Sequence, residues 1–363
     1  MEDETILDIS NQRLTTLPGN LPQSLINLYC DSNKLYTLPD NLPPSLINLY
    51  CDNNKLFTLP ENLPQNLQKI YCNKNRLTIL PHNLPPSLKQ LYCNKNNLTT
   101  LPNNLPPSLK ILDCTYNQLT SLPENLPQSL QQLYCYYNKL TSLPNNLPQN
   151  LQHLYCYRNQ LTSLPNNLPQ SLIKLECGHN QLTSFLDNLP SNLTHLHCAH
   201  NQLTCLPDNL PPNLTQLYCC ENKLTTFPEK LPSNLRVISF TSNKIASLPD
   251  NLPQNLEYLW CNDNQLTILP DLPLSIEYIN ITKNPLEANY PDIFKINNIK
   301  AILIYVNTRN REMRLARMQK IDPEKRILEL YMKRVMHPSR LAALADDSDA
   351  DVDEWMTQYV DSL

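Results

Sequence analysis

A 21-residue repeat dominates this chain. One copy runs from Leu88 to Ser108 and reads LKQLYCNKNNLTTLPNNLPPS, and related copies follow one another through most of the 363 residues. Repeats of this length are typical of solenoids, in which each unit packs against its neighbours along one axis. The repeat therefore predicts one elongated domain where this length would otherwise suggest two or three globular ones.

Within each unit, Leu-x-x-Leu-x-Leu/Cys-x-x-Asn-x-Leu is the frame of a leucine-rich repeat. In the second unit, Leu28 and Cys30 point inward from a strand while Asn27, Tyr29 and Asp31 point outward, because strand side chains alternate. The prolines of Leu-Pro-x-Asn-Leu-Pro exclude a regular helix from the return path. The predicted fold is a β-rich leucine-rich-repeat solenoid. It has a parallel sheet on the concave face, a non-helical Leu-Pro convex side and a small α-helical C-terminal segment.

Two inward positions carry polar or sulfur-containing residues. An asparagine closes each strand after the first, as Asn33 does, whereas Gln12 takes this position in the first unit. The stacked amides are expected to satisfy backbone groups from repeat to repeat. Eleven of the 13 cysteines share one position, which Ile9, Phe240 and Ile281 fill in other units. A position that alternates between Cys and pure hydrophobes is a buried one, so we interpret these cysteines as reduced core thiols. Reduced thiols indicate a reducing, intracellular location, the cytoplasm.

Composition excludes several functions. The net charge of −4 and the pI near 6.0 argue against nucleic-acid or membrane binding. Gly19 and Gly178 are the only glycines, so glycine-rich phosphate loops are absent and no cofactor is expected. No serine lies in a Gly-x-Ser-x-Gly setting. We expect no catalytic residues and no enzymatic activity, and the sequence leaves the oligomeric state open.

Three segments are predicted: the solenoid of about 14 units (1–290), a C-terminal cap with basic helices (291–345) and an acidic tail with an amphipathic helix (346–363). The run from Ile299 to Val306 suits either a strand or a helix that covers the last repeat, and Thr308 to Ile321 reads as helical. The segment 308–340 carries ten Lys or Arg residues against four acids, whereas the tail carries seven acids and no base. The tail could fold back over the basic helices, inhibit a basic patch, or offer a helix to a partner.

The outward positions carry the information about function. Tyrosine recurs just before the ladder cysteine, and tyrosine and tryptophan supply large contact areas in protein interfaces. We predict a protein partner on the concave face, although stacked tyrosines could instead only stabilise the strand pairing. The predicted partner-binding residues are Tyr92, Tyr134, Tyr136, Tyr155, Tyr157, Glu176, His195, His197, Tyr218 and Trp260.

Histidines cluster on the same face. His195 and His197 lie two residues apart on one strand, and His179 and His200 occupy equivalent positions in adjacent units. A divalent metal such as zinc is an alternative function for this cluster. The strand spacing is workable but loose for a tetrahedral site, and no residue is assigned as a metal ligand.

The units resemble the LPX class of leucine-rich repeats in bacterial type III-secreted effectors, the Yersinia outer protein M and invasion plasmid antigen H families. The matching residues are Leu-Thr-x-Leu-Pro-x-Asn-Leu-Pro-x-Ser-Leu, as in Leu119 to Leu130, and the resemblance covers about residues 6–290. The asparagine-rich units and the segment Met336 to Arg340 also resemble leucine-rich repeat proteins of giant viruses.

One departure bears on activity. Invasion plasmid antigen H proteins carry a ubiquitin ligase domain with a catalytic cysteine, whereas no cysteine follows Cys261 here. The resemblance therefore implies an effector-like binding scaffold in a host cell and not a ligase. The alternative is a substrate adaptor, whose solenoid selects a target while the C-terminal helices dock a larger complex such as ubiquitin machinery.

Overall fold

The computed structural model describes residues 5–185 and 189–319. It divides into two compact units, Met1–Asn222 and Lys223–Leu363, and each is described separately below. Each predicted repeat contributes one three-residue strand with a leucine or isoleucine at its centre. This central residue is buried in every strand except the first and the last, where it is partly exposed. The strands of the first unit are β1 (Ile6–Asp8), β2 (Asn27–Tyr29), β3 (Asn48–Tyr50), β4 (Lys69–Tyr71), β5 (Gln90–Tyr92), β6 (Ile111–Asp113), β7 (Gln132–Tyr134), β8 (His153–Tyr155), β9 (Lys174–Glu176), β10 (His195–His197) and β11 (Gln216–Tyr218).

These eleven strands form a parallel sheet in sequence order. Each residue lies opposite the residue 21 positions later, as Leu28 lies opposite Leu49, so equivalent side chains stack in columns. The inward columns are almost completely buried; Leu25, Leu28 and Leu35 have no exposed surface. The predicted solenoid with a parallel sheet is therefore confirmed.

The asparagine column holds adjacent repeats together. The Asn96 amide nitrogen donates hydrogen bonds to the carbonyl oxygens of Cys72 and Cys93, each at 3.0 Å, and its oxygen accepts one from the Leu77 N–H at 3.0 Å. Asn96 is only 7% exposed, so water does not reach the backbone groups around it. Its side chain supplies the hydrogen bonds that these buried groups need.

The ladder cysteines are buried thiols that form no disulfide. Several thiols donate a weak hydrogen bond to a carbonyl of the next strand, as Cys51 does to Tyr71 at 3.2 Å. Burial raises the pKa of the Cys30 thiol to about 12 and that of Cys51 well above its ordinary value. These thiols therefore stay protonated and unreactive in the folded protein.

The return path between strands contains no helix in the described repeats, as predicted. It turns where the Leu46 N–H donates to the Pro43 carbonyl oxygen at 3.1 Å, and equivalent bonds recur in other units. The Ser45 hydroxyl lies 2.7 Å from the carbonyl oxygens of both Gln23 and Leu25 in the preceding repeat. The conspicuous Pro-x-Ser-Leu motif thus builds a turn and ties it to the neighbouring unit.

Up to residue 319, the second unit consists of three strands, a 3-10 turn and a helix. The strands are β12 (Val237–Ser239), β13 (Tyr258–Trp260) and β14 (Tyr278–Asn280), and they are followed by a 3-10 turn (Ile293–Lys295) and helix α1 (Ile299–Gln319). Helix α1 packs against the last repeat: the Asn307 side chain accepts from the Leu272 N–H at 2.7 Å and donates to the Leu272 carbonyl at 2.9 Å.

The helix settles one open prediction and corrects the start of another. The run Ile299–Val306, interpreted as a strand or a helix, is the first part of α1, and the helix predicted from Thr308 begins nine residues earlier, at Ile299. The helix predicted after Asp322 and the acidic tail lie outside the described residues. No helix in the described part of the chain combines the length and apolar character needed to cross a membrane.

Candidate functional site

Nine of the ten predicted partner-binding residues lie on or beside strands β5–β11 and point to the outward face of the sheet. All are partly exposed. The strand register places Tyr155, Glu176, His197 and Tyr218 directly opposite one another in four successive strands. Trp260 lies in the second unit, where its ring is 5.5 Å from that of Tyr278.

Stacked tyrosines form two blocks in this column. The rings of Tyr29, Tyr50, Tyr71 and Tyr92 follow one another with centroids 4.5, 4.9 and 4.5 Å apart. Asp113 interrupts the column, and the rings of Tyr134 and Tyr155 then stack at 4.8 Å. Since neighbouring rings cover one another's faces, a partner meets mostly ring edges and hydroxyl groups within a block.

Residue Tyr116 and its equivalent one repeat later, Tyr137, form a third stack at 4.2 Å. Both have left-handed backbone conformations, with φ of 53°. A cation covers each end of the stack: Lys95 Nζ lies 5.3 Å from the Tyr116 ring centroid, and the Arg158 guanidinium carbon lies 4.9 Å from that of Tyr137. The repeat pattern could have indicated these cations, because they occupy the same repeat position as the two tyrosines.

The histidines form separate contacts and no metal-ligating group. The rings of His179 and His200 stack at 3.9 Å, and His200 Nδ1 lies 2.8 Å from the carboxylate of Glu221. The Thr194 hydroxyl lies 2.7 Å from His195 Nδ1. Among the described residues, no three His, Cys, Asp or Glu side chains are arranged to hold a metal ion. The metal alternative therefore gains no support from this part of the chain.

His197 leans over Gly178, a contact that the sequence did not reveal. A Cβ atom added to Gly178 would lie 2.8 Å from His197 Nδ1, so the glycine makes room for the imidazole. Nδ1 is fully buried and has no hydrogen-bond partner among the described residues. Burial lowers the pKa of His197, which therefore stays neutral at pH 7.

Glu176 is a half-buried acid among aromatic rings. Burial raises its pKa, and the positive charge of Lys174 partly opposes this effect. Burial also raises the pKa of Tyr155 and of Tyr157, and the negative charge of Glu176 adds to both shifts. The carboxylate thus lies close enough to act electrostatically on both phenols.

No protein-family model matches the chain, and no curated protein does either. Solved structures do match. YopM from Yersinia enterocolitica is 33% identical, with a TM-score of 0.58, over 77% of this chain and 74% of that one. YopM from Yersinia pestis, described as a leucine-rich effector protein, is 34% identical, with a TM-score of 0.56, over 77% and 88%. A leucine-rich repeat protein of Leptospira interrogans is 28% identical, with a TM-score of 0.66, over 77% and 90%.

Matches to leucine-rich repeat proteins agree with the solenoid described above. All three matched proteins come from bacteria, so the resemblance to giant-virus proteins stays a prediction. At 34% identity over most of the length of YopM, the likeness extends beyond a shared architecture. The chain belongs to the leucine-rich repeat family, together with YopM.

Proposed function

We propose that this chain is a non-enzymatic scaffold that binds a protein partner through the outward face of strands β5–β11. The observation that carries the proposal is the contrast between the two faces of the sheet. The inward columns repeat Leu, Cys and Asn almost without change, whereas the outward columns pass from tyrosine to glutamate, histidine and back to tyrosine. Variation on a constant frame is what recognition of one specific surface requires.

The chemistry of the described side chains favours binding over catalysis. The ladder thiols are buried, and burial raises their pKa, so they do not serve as nucleophiles. The partly exposed tyrosines and histidines instead offer rigid contact area with polar edges. The adaptor alternative depends on residues 308–363, of which 320–363 lie outside the described part, and it stays a prediction.

An effector-like role in the cytoplasm of a host cell is part of the proposal. It is supported by the similarity to YopM, one structure of which is described as an effector protein. The unreactive ladder thiols are compatible with a reducing compartment.

Affinity capture from host-cell lysate tests the proposed face. The bait is the full chain, either unchanged or with Tyr134→Ala and Tyr155→Ala together. Truncating two central aromatic residues of an interface is expected to weaken binding by roughly 2 kcal/mol or more, about thirtyfold. The captured partner should therefore be lost.

The matched control is Tyr36→Ala. Tyr36 is 43% exposed but lies outside the strands, where it stacks on Phe57. Its loss should leave capture unchanged. If the double variant retains every partner that the unchanged chain captures, the proposed face is wrong.

A further inference from the structure

A notch interrupts the tyrosine column of the outward face. Tyr92 ends one block of stacked rings, Tyr134 begins the next, and Asp113 lies between them in the strand register. Within the blocks, successive ring centroids are 4.5 to 4.9 Å apart. Two repeats therefore separate the rings of Tyr92 and Tyr134 by about 9.6 Å. All three residues are partly exposed, and we call the space between the two rings, above Asp113, the Asp113 notch.

Each wall of the notch is the uncovered face of a ring. Tyr71 covers the other face of Tyr92 at 4.5 Å, and Tyr155 covers the other face of Tyr134 at 4.8 Å. In the described part of the chain, no further aromatic ring and no cation contacts Tyr92 or Tyr134. By contrast, cations of this chain cover both ends of the third tyrosine stack. The Asp113 notch thus presents two opposed π surfaces without a cation of its own.

The carboxylate of Asp113 lies at the bottom of the notch. One of its oxygens accepts a hydrogen bond from the Thr115 backbone N–H at 3.1 Å, and the other accepts one from the Asn94 side chain at 2.7 Å. The bond to a backbone group holds the carboxylate close to the strand, below the level of the rings. Burial raises the pKa of both Tyr92 and Tyr134, and the negative charge of Asp113 adds to both shifts. The carboxylate therefore acts on both walls.

The sides of the notch combine an apolar residue with two glutamines. Ile111 is a partly exposed residue on the same outward face of strand β6. The equivalent Gln90 and Gln132 on the adjacent strands accept hydrogen bonds from the hydroxyl groups of Tyr71 and Tyr134, at 3.3 and 2.9 Å. These bonds place both amides beside ring hydroxyls at the rim. The notch therefore has one side that suits the methyl or methylene groups of a ligand.

The negative charge in the notch has no cationic partner. No ion pair among the described residues involves Asp113, and both of its hydrogen-bond donors are neutral. Each carboxylate oxygen can accept a second hydrogen bond. A cation midway between the rings would lie about 4.8 Å from each centroid, within the roughly 6 Å over which a ring face attracts a positive charge. The arrangement therefore suits a cationic ligand.

The width of the notch discriminates between cations. A carbon atom packs about 3.6 Å from a ring face, so two carbon atoms that each touch one wall would be about 2.4 Å apart. The methyl carbons of a dimethylammonium group have about this separation, because each bond to nitrogen is about 1.5 Å long. A flat guanidinium fills only about 7 Å between two rings and would touch one wall. An unmodified ammonium is smaller and more strongly hydrated.

We propose that the Asp113 notch binds the dimethylammonium group of a methylated lysine presented by the protein partner. One methyl group packs on Tyr92, the other packs on Tyr134, and the N–H donates to the carboxylate of Asp113. This inference rests on the proposed function, because it names the chemistry with which the partner enters the same face.

A blocked peptide tests the notch without knowledge of the partner. The probe is acetyl-Ala-dimethyllysine-Ala-amide, whose N-methyl proton signal is followed by NMR as the full chain is added. Ring currents from two opposed faces should move this signal upfield, and the shift should saturate. A peptide with a carbon atom in place of the side-chain nitrogen keeps the shape without the charge and should show no saturable shift. An equal response to both peptides overturns the proposal.

Two substitutions at one position identify the site. Asp113→Tyr fills the notch with the residue that the repeats on both sides carry, so the fold should be kept while binding is lost. Asp113→Asn should weaken binding about tenfold, because it removes a charge-assisted hydrogen bond. The matched control Asp31→Asn removes a carboxylate from the same face outside the notch and should have no such effect. Unchanged affinity in Asp113→Tyr contradicts the assignment.

Three further ligands test the chemistry of the guest. Peptides with unmodified lysine or with arginine should bind at least tenfold more weakly than the dimethyllysine peptide, since neither fills the width between the rings. Equal or tighter binding of either one contradicts the proposal. Choline chloride tests the source of the methylated group. If choline binds as tightly as the peptide, a protein ligand is the wrong source.

The notch and the proposed function can fail separately. If capture of the partner is lost with the Tyr134 and Tyr155 substitutions while the methylated peptide gives no saturable shift, the notch is wrong and the interaction face stands. If the peptide binds but the double variant still captures every partner, the notch exists and the wider face is wrong. The comparison of the charged and neutral peptides uses only the unchanged chain, so a variant that fails to fold leaves the test intact.

Discussion

At the residue scale, Asp52 shows how position in the sheet sets charge. It lies on the outward side next to the tyrosine stack, and its carboxylate accepts a hydrogen bond from the Asn73 N–H at 2.6 Å. Burial raises its pKa from 3.8 to about 6, an effect larger than the opposing one of that hydrogen bond. Between about pH 4 and 6, the Asp52 carboxyl group is therefore largely protonated in the folded state and largely ionised in the unfolded state.

A testable consequence follows for Asp52→Asn. Because the folded pKa is raised, stability contributed by protonated Asp52 is present below pH 3.8 and is lost as the pH rises toward 6. An amide keeps the acceptor without the charge, so Asp52→Asn should stabilise the protein at pH 7 by about 1 kcal/mol, after allowance for partial solvent screening. Urea unfolding at pH 7 and at pH 3.5 measures this. A gain of equal size at both pH values would contradict the electrostatic explanation.

Residue contacts differ in how far the sequence predicts them. The 21-residue register places Tyr134 beside Tyr155, so their stacking follows from strand alternation alone. The position of His197 over Gly178 does not, because it depends on a side-chain torsion and on the room left by the neighbouring unit.

At the scale of elements, the asparagine column joins each strand to its neighbours. Asn96→Ala would leave the buried Leu77 N–H without its partner. It would also remove one of the two amide donors to each of the Cys72 and Cys93 carbonyl oxygens, which keep Asn75 and Asn117. We expect the free energy of unfolding to fall by about 3 kcal/mol. The adjacent Asn97 is exposed, and Asn97→Ala should change stability by less than about 0.5 kcal/mol. Urea unfolding of both variants tests this, and equal losses would show that the ladder is not the cause.

Helix α1 shows why element boundaries were harder to predict than the strands. The repeats are defined by many equivalent copies, whereas Ile299–Val306 occurs once and its apolar residues fit either period. A local signal was nevertheless present: Asn298 accepts a hydrogen bond from the Ala301 N–H at 3.1 Å, as an N-cap residue does. An asparagine immediately before the apolar run could therefore have located the start of the helix.

At the scale of the whole molecule, a solenoid needs no single cooperative core, because each repeat is stabilised by its own packing and by its neighbours. In the compact unit Met1–Asn222, the N-terminal repeat is less well covered than the repeats that follow it. Ile6 is 56% exposed and Leu14 is partly exposed, whereas Leu35, the equivalent of Leu14 in the next repeat, is fully buried. The ladder cysteines report on unfolding repeat by repeat, since burial keeps each of them protonated and shielded while its repeat is folded.

We therefore expect labelling by N-ethylmaleimide to follow the solenoid axis. In native buffer, exposed Cys205 should react and partly exposed Cys220 more slowly, while the buried ladder cysteines stay unlabelled. As urea rises, Cys30, next to the exposed end repeat, should become labelled at a lower concentration than the fully enclosed Cys114. Peptide mass spectrometry after short labelling pulses gives the order, and Cys205→Ser serves to identify the native signal. If Cys30 and Cys114 become reactive at the same urea concentration, these repeats unfold as one cooperative unit, and their stability is not set by nearest neighbours alone.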